Sequence, residues 1–332
     1  MTLRADIRHA AMRLEGLGPV ATALAWRLRR HYLRARKELA ATPRTMWPRT
    51  PDRAGRGRPR LGIVVVNFNT ARLISQLLFS LYRILGRSEF AIVVVVDNGS
   101  TDASRQILES LAEAQLIQLV ANSEQQYHGP GLNQGISWLA DRQESVDPAD
   151  RIQYVWSLDS DVVVLRRDAA RDPLEAFDGT GAAAVGQIQA NPMTRRALRN
   201  NPSMLSPFSL ILDPVQMWQP SIPPFLDDGA PATGMQVAAD ADGLRLVPFP
   251  FVERGYLIHL GRGTLRAIAE SRDTTNRFYT WAAGHNEPYY MGQAGAASAY
   301  QRFCEVFDKE VGELTPERVT AACSESDLLS LD

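Results

Sequence analysis

At 332 residues, with 45% hydrophobic and 22% charged residues and a formal net charge of −1, the chain has the composition of a soluble globular protein with room for one large domain or two modest ones. No uninterrupted apolar run approaches the roughly 20 residues that span a bilayer, and the N-terminus shows no short apolar core followed by a small-residue cleavage site, so a cytoplasmic location is expected. The two cysteines, Cys304 and Cys323, are too few for a disulfide framework or a thiolate zinc cluster.

The first element is a basic arm. Residues 1–60 hold 15 Lys and Arg against 4 Asp and Glu, a net of +11, whereas residues 61–332 hold 21 against 33, a net of −12. Within residues 1–40, Leu3, Ile7, Met12, Leu14, Leu17 and Val20, then Leu24, Trp26, Leu28 and Leu33, recur among arginines and predict helices with an apolar stripe, broken near Gly16–Pro19. Residues 41–60, "ATPRTMWPRTPDRAGRGRPR", read as a linker. A basic amphipathic helix suits peripheral contact with an anionic membrane, at the inner face for a cytoplasmic protein. Packing on the acidic body or on a second copy of the chain suits it at least as well. Direct nucleic-acid binding rests on the arm alone and is disfavoured.

From Leu61 the pattern changes. "LGIVVVNFN" (61–69) is a short, valine-rich apolar run of the kind found in strands buried on both faces. Leu73, Ile74, Leu77, Leu78, Leu81, Ile84 and Leu85 follow at helical spacing, then "AIVVVVD" (91–97), a helix opened by Ser100 or Thr101, and "LIQLVAN" (116–122). This β-α-β-α-β order predicts a parallel sheet covered by helices. Ligands bind such sheets at the carboxyl ends of the strands. Asn67 and Asn69, Asp97 and Asn98, and Asn122 fall at those ends; each alone is ordinary turn chemistry, and their joint placement favours a site. A loop over 123–131 with Gly129 and Gly131 leads to a helix over 132–141, with Asn133 near its start, where backbone N–H groups favour anions.

"RIQYVWSLDSDVVVL" (151–165) predicts a further strand whose polar turn carries Asp159, Ser160 and Asp161. Two unpaired carboxylates between apolar runs are costly to bury. A hard divalent cation bridging the phosphates of a nucleotide needs only one or two protein carboxylates, so the pair reads as a metal and nucleotide-diphosphate site.

Together, "VVVNFNT" (64–70), "VVVDNGSTD" (94–102), Asn122 with "GPGLNQGI" (129–136), and "SLDSDVVV" (157–164) resemble the family 2 glycosyltransferases of GT-A fold, over roughly residues 61–260. The resemblance implies an α/β fold of GT-A type, a Rossmann-like, mostly parallel sheet flanked by helices, here preceded by the basic helical extension. It implies a nucleotide-binding half over 61–165 followed by an acceptor-binding and catalytic half, expected over 166–300; a helical, acidic tail is expected over 301–332. Asn67, Asn69 and Asp97 would line the nucleoside pocket, with Asp97 accepting the ring N–H of a uracil-like base. Asp159 would face the ribose or a metal-bound water, and Asp161 would bind Mn²⁺ or Mg²⁺ on the diphosphate; Asn98, Asn122, Gly131, Asn133 and Ser160 complete the donor set. The family's second carboxylate after the second strand is replaced by Asn98, which leaves the base and sugar open.

In the second half, residues 190–226 are rich in Pro, Met and aromatic residues, and most read as core; the resemblance puts the acceptor side in this region, which makes Trp218 and Phe225 candidate walls for an acceptor ring. Inverting sugar transfer needs a carboxylate to take the acceptor proton. The family's Phe-x-Asp-x-Gly places it at Asp227, with Asp228 adjacent; the alternative is a cap for a helix over 231–239. "GYLIHLGRGT" (255–264) carries His259, a candidate third metal ligand by the same resemblance, with His285 the weaker choice; as a lone histidine among apolar residues it also reads as core. Arg262 is a candidate charge-assisted donor to diphosphate, and residues 273–295 suit a loop closing over the substrates.

The expected protein is a metal-dependent glycosyltransferase that moves a hexosyl or N-acetylhexosaminyl group from a nucleotide diphosphate sugar, UDP-sugar favoured, to a small molecule, glycan or carrier-bound acceptor, with inversion. The Arg- and Ala-rich composition suits a GC-rich bacterial source. A retaining GT-A enzyme stays open. A sugar nucleotidyltransferase should carry a Gly-rich loop after the first strand, which "NFNTARL" lacks, and a non-catalytic nucleotide-binding scaffold is the remaining rival.

Overall fold

The computed structural model describes residues 47–48, 60–188, 198–226, 231–261 and 295–331. The arm over 1–40, most of the linker, Asp227, Asp228, Arg262, His285 and the 273–295 loop lie outside the described residues.

Seven strands form one mostly parallel sheet in the order β3-β2-β1-β4-β7-β6-β8. They are β1 Leu61–Asn67, β2 Ile92–Asp97, β3 Gln118–Ala121, β4 Tyr154–Asp159, β6 Ala182–Ile188, β7 Leu205–Leu212 and β8 Arg245–Pro248. Two short strands, β5 Val162–Val164 and β9 Leu257–His259, form a separate antiparallel ladder. This is the mixed α/β architecture expected from the sequence.

The chain clusters into two compact units that interleave in sequence. One draws on Ile63–Gln126, Leu158–Asp172 and residues from Phe251 onward; the other on residues up to Gly62, Tyr127–Ser157 and Pro173–Pro250. In the first, β2 runs parallel to β3, with Val94 beside Gln118 and Asp97 beside Ala121. Val64, Val65 and Val93 to Val96 are fully buried, as continuous valine runs require. Helix α1 (Ala71–Ser80) buries Ile74, Leu77 and Leu78 and continues as a stretch of π-helix over Leu81–Gly86. Helix α2 (Ser104–Glu113) buries Ile107, Leu108 and Leu111.

In the second unit, helix α3 (His128–Gln143) buries Leu132, Ile136 and Leu139. Strand β6 pairs antiparallel with β7 and parallel with β8. Trp156 and Phe208 are fully buried there, the indole N–H donating to Ser209 Oγ at 3.0 Å. Helix α4 (Arg171–Glu175) spans the unit boundary; α5 (Pro214–Met217) and α6 (Thr233–Ala241) follow, and α7 (Ala296–Val311) and α8 (Pro316–Ser324) return to the first unit.

Three boundaries differ from the sequence reading. Helix α2 begins at Ser104 instead of at a Ser100 or Thr101 cap, because Ser100 is bonded to Asp97. Helix α3 begins at His128, so Gly129, Pro130 and Gly131 lie in its first turn. The 154–165 run is two strands in two sheets, turning at Ser160–Asp161.

Candidate active site

The strand ends of the first unit carry a closed polar network. Asn67, at the end of β1 and fully buried, places its amide nitrogen 2.9 Å from Asp97 Oδ1 and 3.0 Å from both Ser100 Oγ and Ser104 Oγ. Its amide oxygen accepts from Thr70 Oγ1 at 2.6 Å, and that hydroxyl lies 3.3 Å from Ser160 Oγ. Asp97 is also fully buried, and its charge is met from several sides: Ser100 Oγ donates to Oδ1 at 2.5 Å, and Arg105 Nη1 to Oδ2 at 3.0 Å. A buried carboxylate persists only with such partners.

Asn69 adopts φ 51, a left-handed conformation that asparagine tolerates, and folds over the next loop. Its side-chain oxygen accepts from the backbone N–H of Thr101 at 2.7 Å and of Asp102 at 3.3 Å, while its own N–H donates to Ser100 Oγ. Asn98 and Asn122 are both buried; the side-chain amide nitrogen of Asn122 donates to Asn98 Oδ1 at 3.0 Å, and Asn122 N–H donates to Asp97 C=O. The five strand-end residues singled out from the sequence are thus brought together as one bonded cluster.

The metal-ligand candidates converge in the same unit. Asp159 closes β4 and Asp161 precedes β5, while the ladder pairs Val162 with His259 and the Leu260 N–H donates to Asp161 C=O at 3.0 Å. Backbone pairing therefore delivers a residue nearly a hundred positions later to the acidic turn. His259 Nε2 lies 3.2 Å from Asp161 Oδ1 and 3.6 Å from Asp159 Oδ2. One ligand atom from each of the three residues falls within 4.8 Å of the others. Strand β5 is anchored in turn by its Val164 N–H, which donates to Ser80 Oγ at the end of α1.

Burial disfavours a charged imidazole here, but the Asp161 charge and hydrogen bonds to Asp159 and Asp161 outweigh it, pushing the His259 pKa up to about 10. Two carboxylate oxygens and an imidazole nitrogen at this spacing fit a hard or borderline divalent ion such as Mn²⁺ or Mg²⁺.

In the second unit, Asn133 clamps the backbone of Phe225: its amide nitrogen donates to Phe225 C=O at 2.8 Å and its amide oxygen accepts from Phe225 N–H at 2.9 Å. Gly129 abuts the same segment, for a Cβ there would sit 1.9 Å from Leu226 O. Gly131 is buried in the same first turn, its N–H donating to Tyr127 C=O at 3.3 Å. The glycines read from the sequence as permitting ligand approach include one that permits approach of the chain's own backbone. Trp218 and Phe225, considered as acceptor walls, are each only 1% exposed and are core residues. Helix α6 begins at Thr233 with Ala232 at its N-cap position, two residues later than the helix start expected from the sequence.

Two groups escaped the sequence reading. Asp240, buried on α6, accepts from the backbone N–H groups of Arg199, Asn200 and Asn201 at 2.6–2.9 Å. Tyr256, just before β9, donates to Asp172 at 2.5 Å under the Arg166 guanidinium. Both depend on pairings between distant segments, for which a single sequence carries no local signal.

No helix among the described residues is long and apolar enough to cross a membrane. A search of curated proteins returned no match. Among solved structures, the mannosyltransferase PcManGT from Pyrobaculum calidifontis, in complex with GDP-Man and Mn²⁺, is similar at 18% identity and a TM-score of 0.45, over 95% of this chain and 97% of that one. Glucosyl-3-phosphoglycerate synthase from Mycobacterium tuberculosis, in complex with Mn²⁺, UDP and glucosyl-3-phosphoglycerate, is similar at 18% identity and a TM-score of 0.44, over 69% and 84%. TarS 1–349 from S. aureus is similar at 16% identity and a TM-score of 0.42, over 63% of each chain, so this chain spans less than two thirds of that one. The family model described as "Glycosyl transferase family 2" matches residues 62–235, more than half of the sequence, and the chain belongs to that family.

Proposed function

We propose that the chain transfers a sugar, a hexosyl or N-acetylhexosaminyl group, from a nucleotide diphosphate sugar to an acceptor hydroxyl or amine, with UDP-sugar as donor and inversion at the anomeric carbon. The observation that carries this reading is the convergence of Asp159, Asp161 and His259 beside the strand ends of a family 2 chain. A Mn²⁺ or Mg²⁺ ion held by these three would supply Lewis-acid stabilisation of the charge that builds on the departing diphosphate.

The chain's own residues do the rest. Asn67, Asn69, Asp97, Asn98 and Asn122 form a prebuilt floor for the nucleoside, with Ser160 tied to it through Thr70. Both oxygens of Asp97 are engaged, and its partner Arg105 has a side chain that is one-third exposed. A base N–H that bonds Asp97 therefore takes the place of Arg105. Asn133 holds the segment at Phe225 that leads into Asp227 and Asp228, one of which takes the acceptor proton as its oxygen or nitrogen attacks. Arg262 is assigned to the diphosphate. The acceptor is a small molecule, a glycan or a carrier-bound intermediate.

The test is calorimetric titration with UDP and with GDP, each with and without Mn²⁺, for the wild-type chain and Asp161→Ala. The expected result is Mn²⁺-dependent binding of UDP that Asp161→Ala abolishes. Binding of neither nucleotide under any metal condition overturns the reading in favour of a scaffold.

A further inference from the structure

The ladder that brings His259 to the acidic turn is only three residue pairs long, Val162–His259, Val163–Ile258 and Val164–Leu257. An isolated two-stranded ribbon of this length is marginal at best. Its register also matters more than usual: a slip of one residue turns every side chain of β9 to the opposite face and takes His259 away from Asp161.

At the end of the ladder away from the carboxylates, a polar clamp closes it. Leu165 N–H donates to Tyr256 C=O at 2.9 Å, extending the pairing by one step. The Tyr256 ring is buried, and its hydroxyl donates to Asp172 Oδ2 at 2.5 Å. The Arg166 guanidinium lies 4.2 Å from the ring centroid, and its remaining donors reach Asp168 at 2.9 Å and Arg254 C=O at 3.3 Å. The segment after β5 and the residue before β9 are thus tied to each other by a hydroxyl, a ring and a forked cation.

We infer that Tyr256 is a positioning residue for the metal site: its hydroxyl, anchored on Asp172, holds β9 in register and so sets Nε2 of His259 against Asp159 and Asp161. The inference rests on the proposed metal role of those three residues. The role assigned to Tyr256 is exerted through the placement of His259.

The test is Mn²⁺ binding, measured by calorimetry with the metal alone, on the full chain and on Tyr256→Phe, which keeps the ring and removes the hydroxyl. Groups that orient metal ligands typically contribute 10–100-fold in affinity, so the expected loss is roughly tenfold. Asp172→Asn should lower affinity in the same direction. The decisive comparison is a double-mutant cycle with His259→Ala, in which Tyr256→Phe should cost nothing further, because the ligand it positions is gone. An equal loss in both backgrounds, or no loss in either, overturns the positioning role while leaving the metal site standing. Absence of Mn²⁺ binding to the wild-type chain overturns both the site and the inference.

Discussion

At the scale of single residues, the proposed metal role of His259 predicts that metal loading depends on pH. Without metal its imidazole is held protonated up to about pH 10, since the neighbouring Asp161 and Asp159 charges outweigh the burial that opposes it. A metal binds only the neutral ring, so loading the site near pH 7.5 expels a proton. Mn²⁺ affinity should therefore rise with pH, by close to tenfold per unit when this is the only coupled proton. Calorimetry in buffers of differing ionisation enthalpy should count about one proton released by the wild-type chain at pH 7.5 and none by His259→Ala. A count near zero for the wild type would mean that His259 is not a ligand. The same shift carries a stability consequence of definite sign. The pKa is raised from 6.5, so the stabilisation it reflects is complete below about pH 6.5 and is lost as the pH climbs through 10 in the metal-free protein.

At the scale of elements, the start of α3 is decided by packing against distant backbone. The sequence Gly129-Pro130-Gly131 carries turn chemistry, and a loop is its natural reading. The chain instead enters the helix through Tyr127 at φ 60, and Gly129 lies against Leu226, where a Cβ would come within 1.9 Å of the carbonyl oxygen and 2.5 Å of its carbon. Backbone cannot yield as a flexible side chain does. Gly129→Ala should therefore cost about 3 kcal/mol, the upper part of the overpacking range, and lower the thermal midpoint by several degrees. Retention of the wild-type midpoint would show that α3 and the 224–226 segment are not in close contact. The contrast with β1 and β2 shows what was legible. Valine runs buried on both faces announce themselves locally, and so do the polar residues that end them, because both follow from a strand's immediate surroundings. Asp159 and Asp161 were legible for the same reason, as charges misplaced between apolar runs. The pairing of β5 with β9, the clamp at Tyr256 and the Asp240 anchor were not, since each joins segments tens of residues apart and leaves no periodicity behind. His259 was reached by family resemblance; the hydrogen-bonded register that carries it to the carboxylates became visible only in the fold.

At the scale of the whole molecule, charge is divided unevenly along the chain. The net of +11 over residues 1–60 faces a net of −12 over the remainder. An arm of that charge would be drawn to any anionic surface, and a polybasic segment near an anionic bilayer gains about 1 kcal/mol per Lys or Arg brought close. The apolar stripe among the arginines of residues 3–40 adds a reason for a membrane surface, since an amphipathic helix buries such a stripe at the lipid boundary. The acidic body competes for the same arm. The two destinations differ in what removal of the arm does. On a membrane, deletion of residues 1–40, which spares the buried Trp47 of the linker, should abolish sedimentation with vesicles containing phosphatidylserine, leave the thermal midpoint unchanged, and leave Mn²⁺ binding intact, since Asp159, Asp161 and His259 all lie beyond the deletion. Binding of the full chain should weaken steeply between low salt and 0.5 M, as screening shortens the reach of the arm's charge to a few ångströms. If the arm packs on the body, the full chain should not sediment with vesicles at any salt, and the deletion should lower the thermal midpoint by exposing the surface the arm covers. The two patterns are mutually exclusive, so sedimentation and the thermal midpoint together assign the arm to one destination: the stripe and the arginines match a bilayer boundary, and the acidic body matches the same charge at least as well.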